Sequence, residues 1–276
     1  MHMTDDPSQQ LINMANASGF LLELAIERVI SDAKSGLAWE VVREHHWSHP
    51  SLQQDGFIDL VATYGQMRLV IECKRPRDGV WLFLVPKGHE RESTRVRAIW
   101  TESGPARDSL TGVDDVLLYP PSYETDNCII RGQGEDAKPL LERLAGQLLA
   151  ATESLANEDI LLGYNKQCND QFYYFPMIVT AASLQVAVVD VADISLESGT
   201  IEKATFSRVP FIRFYKSLST ASPDKTRVSD LDAAHKENQR TILVVNAAEL
   251  PSLLEDWKVT NRPHDPLPPW EKARRR

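Results

Sequence analysis

Two apolar runs, FIDLVATY (Phe57 to Tyr64) and MRLVIECK (Met67 to Lys74), flank the dipeptide Gly65-Gln66, and they limit the fold more than any other stretch of the chain. Strand-forming residues joined by a two-residue glycine turn predict a β-hairpin. Alternation of side chains then places Val70, Glu72 and Lys74 on one face of the second arm, and Leu69, Ile71 and Cys73 on the other. On the first arm Phe57, Asp59 and Val61 share a face, opposite Ile58, Leu60 and Ala62. Closing the turn at Gly65-Gln66 sets Asp59 and Glu72 at the same end of the hairpin, away from the turn and facing each other. Both acids interrupt dense apolar runs, where a charge without a partner or a role is expensive.

Two carboxylates held together in a half-buried place repel, and one pKa rises unless positive charge sits between them. A divalent cation such as Mg²⁺ answers this need. It takes a few carboxylate oxygens plus waters, keeps positions for phosphate oxygens, and lowers the pKa of a bound water. Lys74, two residues beyond Glu72, would orient such a water and offset charge developing on phosphorus, a task that suits a compact ammonium better than a guanidinium. The same three residues also suit a solvated antiparallel face, where Glu72 and Lys74 would form an exposed pair worth ~0–1 kcal/mol.

The rest of the chain places the hairpin in an α/β setting. Gln10 to about Lys34 reads as a helix, with Leu22, Ile26, Val29 and Ala33 on one face and Gly36 ending it. A strand is expected from Ala38 to His45, then a loop over WSHPSLQQDG. After the hairpin, VWLFLV, STRVRAIW and DDVLLY read as strands, and Lys138 to Asn157 as a second long helix with Pro139 in its first turn. FYYFPMIVTAASLQVAVVDV predicts two strands broken near Ala181 to Ser183, RVPFIRFY another, and TILVVNAAELPSLLEDW a strand running into a helix. The tail, residues 261–276, is proline-rich with a basic end and is expected to be poorly ordered. The sum is an α/β fold on a mixed sheet.

Composition narrows the functional classes. With 42% hydrophobic and 25% charged residues the chain reads as soluble and globular. No window approaches the ~18 apolar residues of a membrane span, and MHMTDDPSQQ lacks the pattern of a signal peptide, so the expectation is a cytoplasmic protein without membrane contact. Cys73, Cys128 and Cys168 are scattered and form no CxxC pair, which argues against a disulfide framework or a cysteine zinc site. A net charge of −9 counts against a general nucleic-acid coat but leaves room for a local basic groove.

A helix carrying a glutamate, a strand, and a hairpin with Asp on its first arm and Glu-x-Lys on its second resemble the core of the PD-(D/E)XK nuclease superfamily, which includes restriction endonucleases and Holliday-junction resolvases. The carriers are GFLLE (Gly19 to Glu23), GFIDLVA (Gly56 to Ala62) and LVIECK (Leu69 to Lys74), within residues 10 to 77, plus a second helix placed at Leu140 to Leu155. The proline that names the motif is replaced by Ile58. The resemblance implies a restriction-endonuclease-like mixed β-sheet flanked by helices over residues 1–165, with a long insertion at about 76–139 and an additional C-terminal α/β extension over 166–260, or one continuous domain. It implies Asp59, Glu72 and Glu23 as ligands of Mg²⁺ or Mn²⁺ together with the Cys73 backbone carbonyl, and Lys74 as the catalytic lysine. Glu23 follows Gly19 at the G-x-x-x-E spacing; Glu27, one turn later, is the alternative. Gln147 on the second helix is a further polar candidate, or a solvated position.

The implied function is hydrolysis of nucleic-acid phosphodiesters, with DNA favoured, in bacterial restriction, defence or repair. Arg75, Arg77, Arg95 and Arg97 would contact the substrate backbone, and a homodimer would supply the two cuts a duplex needs. A catalytically inactive member of the same fold, acting as a nucleic-acid-binding or assembly subunit, is the alternative; Asp59, Glu72 and Lys74 are all present, which counts against it. Other signals point less far. His45, His46 and His49 have zinc-like spacing but no cysteine partners, and Gly132-Gln133-Gly134 with Ala137 imitates a dinucleotide turn in which Glu135 and Asp136 would repel a pyrophosphate.

Overall fold

The computed structural model describes residues 7–33, 38–75, 79–90, 92–103, 110–130, 140–166, 170–218 and 229–260. The first helical stretch is cut in two, α1 (Pro7–Ala17) and α2 (Phe20–Ser31). Between them the Ser18 hydroxyl and N–H both donate back to the Ala15 carbonyl, at 2.7 and 3.1 Å. That local bond competes with helix continuation, and Gly19 follows it. The next strand, β1 (Glu40–His49), runs straight through the WSH segment expected as a loop. Its reversal needs only a single 3-10 turn, Pro50–Leu52, closed by Gln53 at φ 52°.

β2 (Gln54–Tyr64) and β3 (Met67–Lys74) then form the expected hairpin about Gly65, whose φ of 55° is the left-handed conformation the turn requires. Tyr64 pairs with Met67, Val61 with Val70 and Leu60 with Ile71. The chain continues through β4 (Val80–Pro86), β5 (Ser93–Ser103), β6 (Leu110–Ser122), β7 (Glu124–Thr125), β8 (Cys128–Ile130) and α3 (Leu140–Lys166). After α3 come β9 (Asp170–Thr180), β10 (Ser183–Val189), β11 (Thr205–Arg208), β12 (Phe211–Ser217), α4 (Leu231–Asn238), β13 (Gln239–Asn246), α5 (Leu250–Glu255) and β14 (Lys258–Thr260). β11 and α4 have no buried residues, so no apolar periodicity announced them.

The protein is α/β, with a mixed sheet flanked by helices. The large sheet follows the order β1-β2-β3-β9-β13-β12-β7, and β5, β6 and β14 branch from β9. β1, β2 and β3 are antiparallel neighbours, whereas β3, β9 and β13 run parallel. The strands after α3 are divided between two sheets: β9 and β13 sit in the middle of the same sheet as β3, while β10 and β11 lie in a second sheet. The apolar runs on β9 and β13 follow from this, since a central parallel strand is covered on both faces. Helices α2 and α5 pack on one face over Leu60, Leu69, Ile71 and Met177. On the other face α3 and a four-stranded sheet, ordered β11-β10-β4-β8, cover Ile58, Val61, Val70 and Ile178.

The second sheet arises where two parallel strands bend over together. Ala181 N–H donates to the Lys74 carbonyl at 3.2 Å, and Ser183 N–H to the Gly79 carbonyl at 2.6 Å. β3 and β9 thus leave the large sheet side by side and continue as the parallel pair β4 and β10. Among the described residues no helix is long and apolar enough to cross a membrane.

Candidate functional site

The carboxyl ends of the parallel strands β3, β9 and β13 fall together, with Lys74 beside Thr180 and Thr180 beside Asn246. Open α/β sheets bind ligands outside such ends. The hairpin acids are there. The β2–β3 ladder stops at Leu60–Ile71, so the next pair in register is Asp59 opposite Glu72. With the ladder ended, the Cys73 N–H is taken by a side chain: it donates to Asp59 Oδ2 at 2.6 Å. Glu72 Oε1 stands 2.5 Å from Lys74 Nζ, and their side chains are 21% and 37% exposed, so the pair is neither a free surface bridge nor a sealed one.

The charges do not balance. Burial pushes the Asp59 carboxyl above its ordinary value, the Cys73 N–H and Lys74 pull it back, and Glu44 adds to the rise. Burial likewise raises Glu72, with the Asp59 charge reinforcing it and Lys74 opposing. Glu23, projecting from the first turn of α2, is raised by its own partial burial, then by Asp59 and Glu44. Lys74 loses some basicity to burial, but Glu72 and Asp59 outweigh that and leave it more basic than an ordinary lysine. Lys74 thus opposes all three mutually repelling carboxylates, and Arg43 also pulls Glu23 down. Cys73 keeps its thiol in the core on the α2 side, pushed up first by burial and then by these acids, so it is no nucleophile.

The structure brings together Asp59, Glu72, Lys74 and the Cys73 backbone, and Glu23 is linked to them by its charge alone. Glu27, the alternative helix acid, points elsewhere: its Oε2 lies 3.5 Å from Arg43 Nη1 on β1. Arg75 leaves β3 exposed beside Lys74, and Arg77 lies outside the described residues. Arg95 and Arg97 are not at this site. The Arg97 N–H bonds Thr241 Oγ1, five residues and about 17 Å of strand from Asn246, and its guanidinium faces Glu237 and Asp115 at 3.3 and 3.7 Å. Arg95 lines a separate cleft of about 910 Å³ with His89, Glu92, Tyr215 and His235. Both arginines sit in strand β5, whose β-pairing carries them to that end of the sheet, a long-range placement no local pattern encodes.

The remaining candidates disperse. Gln147 is exposed on α3, whose inner face is Leu144, Ala145 and Leu148. His45 Nε2 is 2.8 Å from Glu158 Oε2, His49 Nε2 is 4.0 Å from Glu153, and His46 meets Phe57 edge-on. The turn at Gly132 to Ala137 and Cys168 lie outside the described residues. The residue overlooked in the sequence is Glu44, exposed on β1 with φ 50° and charged toward both Asp59 and Glu23.

As a donor set Asp59, Glu72 and Glu23 fit a hard divalent cation, being all oxygen and in excess of positive charge. As placed, one Asp59 oxygen is held by Cys73 and one Glu72 oxygen by Lys74. Among the described residues no trio of His, Cys, Asp and Glu is gathered closely enough to hold an ion, so binding would draw Glu23 and the second oxygens of Asp59 and Glu72 inward. Comparisons of the chain with protein-family models, with curated proteins and with solved structures find no match.

Proposed function

We propose that this protein is a metal-dependent nuclease of the restriction-endonuclease-like type, acting on DNA. One observation carries the reading: Asp59 and Glu72 face each other beside Lys74 at the carboxyl end of β3, with Asp59 pinned to the Cys73 N–H and the Glu23 charge acting on both. Mg²⁺ or Mn²⁺, held by Asp59, Glu72, Glu23 and the Cys73 carbonyl, would supply Lewis-acid activation of the phosphate and a low-pKa water. Lys74, kept charged by Glu72, stands beside this acid set and offsets negative charge developing on phosphorus. Arg75, exposed one residue beyond Lys74, meets the substrate backbone, a contact that positions without reading sequence.

The test is cleavage of supercoiled, linear and single-stranded DNA, and of RNA, with Mg²⁺ or Mn²⁺, comparing wild type with Lys74→Ala. Removing one group that stabilises transition-state charge lowers the rate by roughly 10²–10³-fold, with the variant still folded by circular dichroism. Equal cleavage by both proteins, or none by either on any of these substrates, removes the reading.

A further inference from the structure

Glu44 has a φ of 50° in the interior of a ten-residue strand, where a glutamate gains nothing locally from a left-handed backbone. On either side of it Arg43 pairs with Leu60 and His45 with Ile58, and the register is the same on both sides. No residue is inserted, so this is not an ordinary β-bulge. What changes is the face. Val41 packs in the α2-side core and Arg43 meets Glu27 of α2, yet His45 meets Glu158 of α3 and Trp47 packs in the α3-side core. In a regular strand these four odd-numbered residues would share one face.

β2 shows the same reversal at the same step. Leu60 and Ala62 belong to the α2-side core, but Ile58 belongs to the α3-side core with Val61 and Val70. The expected face of Ile58, Leu60 and Ala62 is therefore wrong at Ile58. Both strands turn over between the Arg43–Leu60 and His45–Ile58 pairs, and the residues at the pivot are Glu44 and Asp59. The Asp59 carboxylate reaches the amide of the third strand, the Cys73 N–H.

We propose that Glu44 is a positioning residue: its left-handed backbone turns β1 and β2 over at one step and so delivers the Asp59 carboxylate to the Cys73 amide. The importance of that delivery for metal binding rests on the nuclease reading, whereas the delivery itself does not. Glycine adopts a positive φ freely, asparagine tolerates it, and β-branched valine opposes it. Glu44→Gly and Glu44→Asn should therefore keep the arrangement although both remove the carboxylate, and Glu44→Val should lose it.

Two readouts separate the cases. The first is hydrogen exchange of the Cys73 amide by NMR: protection in the Gly and Asn variants within about threefold of wild type, and at least tenfold faster exchange in the Val variant. The second is Mn²⁺ affinity by calorimetry, unchanged within about threefold in the first two and at least tenfold weaker in the third, a loss of the size that follows when a ligand's support is removed. If Glu44→Val does not fold, Glu44→Thr, β-branched like valine but polar on this exposed position, replaces it in the same comparison. Retained Cys73 protection in the Val variant overturns the proposal, and so does equal loss in the Gly variant, which would make the carboxylate the cause. Wild-type protein that binds no Mn²⁺ defeats the nuclease reading but leaves the exchange comparison to decide the role of Glu44.

Discussion

The two ends of β3 present charge on the same face and treat it in opposite ways. Near its start, Arg68 Nη2 donates to Asp159 Oδ1 at 2.8 Å while Nε lies 2.7 Å from Oδ2. Its other nitrogen reaches Thr63, and the guanidinium stacks 4.2 Å from the Phe172 ring centre. Asp159 also accepts from the Tyr174 hydroxyl, which meets Thr101. Burial raises the Asp159 carboxyl, but Arg68 and Tyr174 both pull it down. Four residues on, at Glu72, the neighbours push the same way as burial and only Lys74 opposes. A matched network of this kind holds α3 against the sheet; the unmatched acids are the candidate site on which the proposed reading rests.

Breaking the matched end should give the largest effect on stability. Arg68→Met keeps much of the side-chain volume and leaves Asp159 buried without its cation. Loss of one partner of a buried pair costs about 3–5 kcal/mol, to be read as a shift of the urea midpoint at constant slope. If Arg68→Met and Glu72→Gln destabilise alike, the distinction between the two ends fails.

At the unmatched end the sign reverses. A carboxyl whose pKa is raised by folding binds protons more readily in the native state than in the unfolded one. Stability contributed by Asp59 therefore falls as pH rises from its ordinary value of 3.8 through the raised native value. Asn still accepts the Cys73 N–H. Asp59→Asn should thus raise the thermal midpoint by a few degrees at pH 7, with the gain shrinking to nothing below pH 4. Saturating Mg²⁺ should narrow the gap from the other side, because it stabilises only the protein that binds it. A variant less stable than wild type at pH 7 and equal to it at pH 4 would show the opposite linkage.

The hairpin could be read from the sequence because everything that forms it is local: a glycine at the positive-φ turn position and two runs of period two. The strand-to-helix step at β13 and α5 and the break between β9 and β10 were legible for the same reason. The turn-over at Glu44 and Asp59 was not, since a glutamate carries no signal for a left-handed backbone. Nor was the position of Arg95 and Arg97, which depends on β5 pairing with β9 and β6 rather than on nearness to Lys74 in the chain. The lower hairpin register, Tyr64–Met67 to Leu60–Ile71, follows from alternation, whereas the site begins one step beyond, where alternation stops applying.

The smallest effect separates the two acids of α2, which the sequence leaves as alternatives one turn apart. Glu27 and Arg43 are 31% and 42% exposed and 3.5 Å apart, an arrangement worth ~0–1 kcal/mol. Glu23 is held up by burial and by the Asp59 charge, so neutralising it removes a repulsion and, on the proposed reading, a metal ligand. Glu27→Gln should change Mn²⁺ affinity less than about threefold, and Glu23→Gln should weaken it at least about tenfold. The thermal midpoint should move the other way, since Glu23→Gln relieves repulsion in the metal-free protein while Glu27→Gln loses its weak bridge. An affinity loss in Glu27→Gln matching that in Glu23→Gln would mean that Arg43 does not hold Glu27 away, and that the helix acid of this site is shared between two turns.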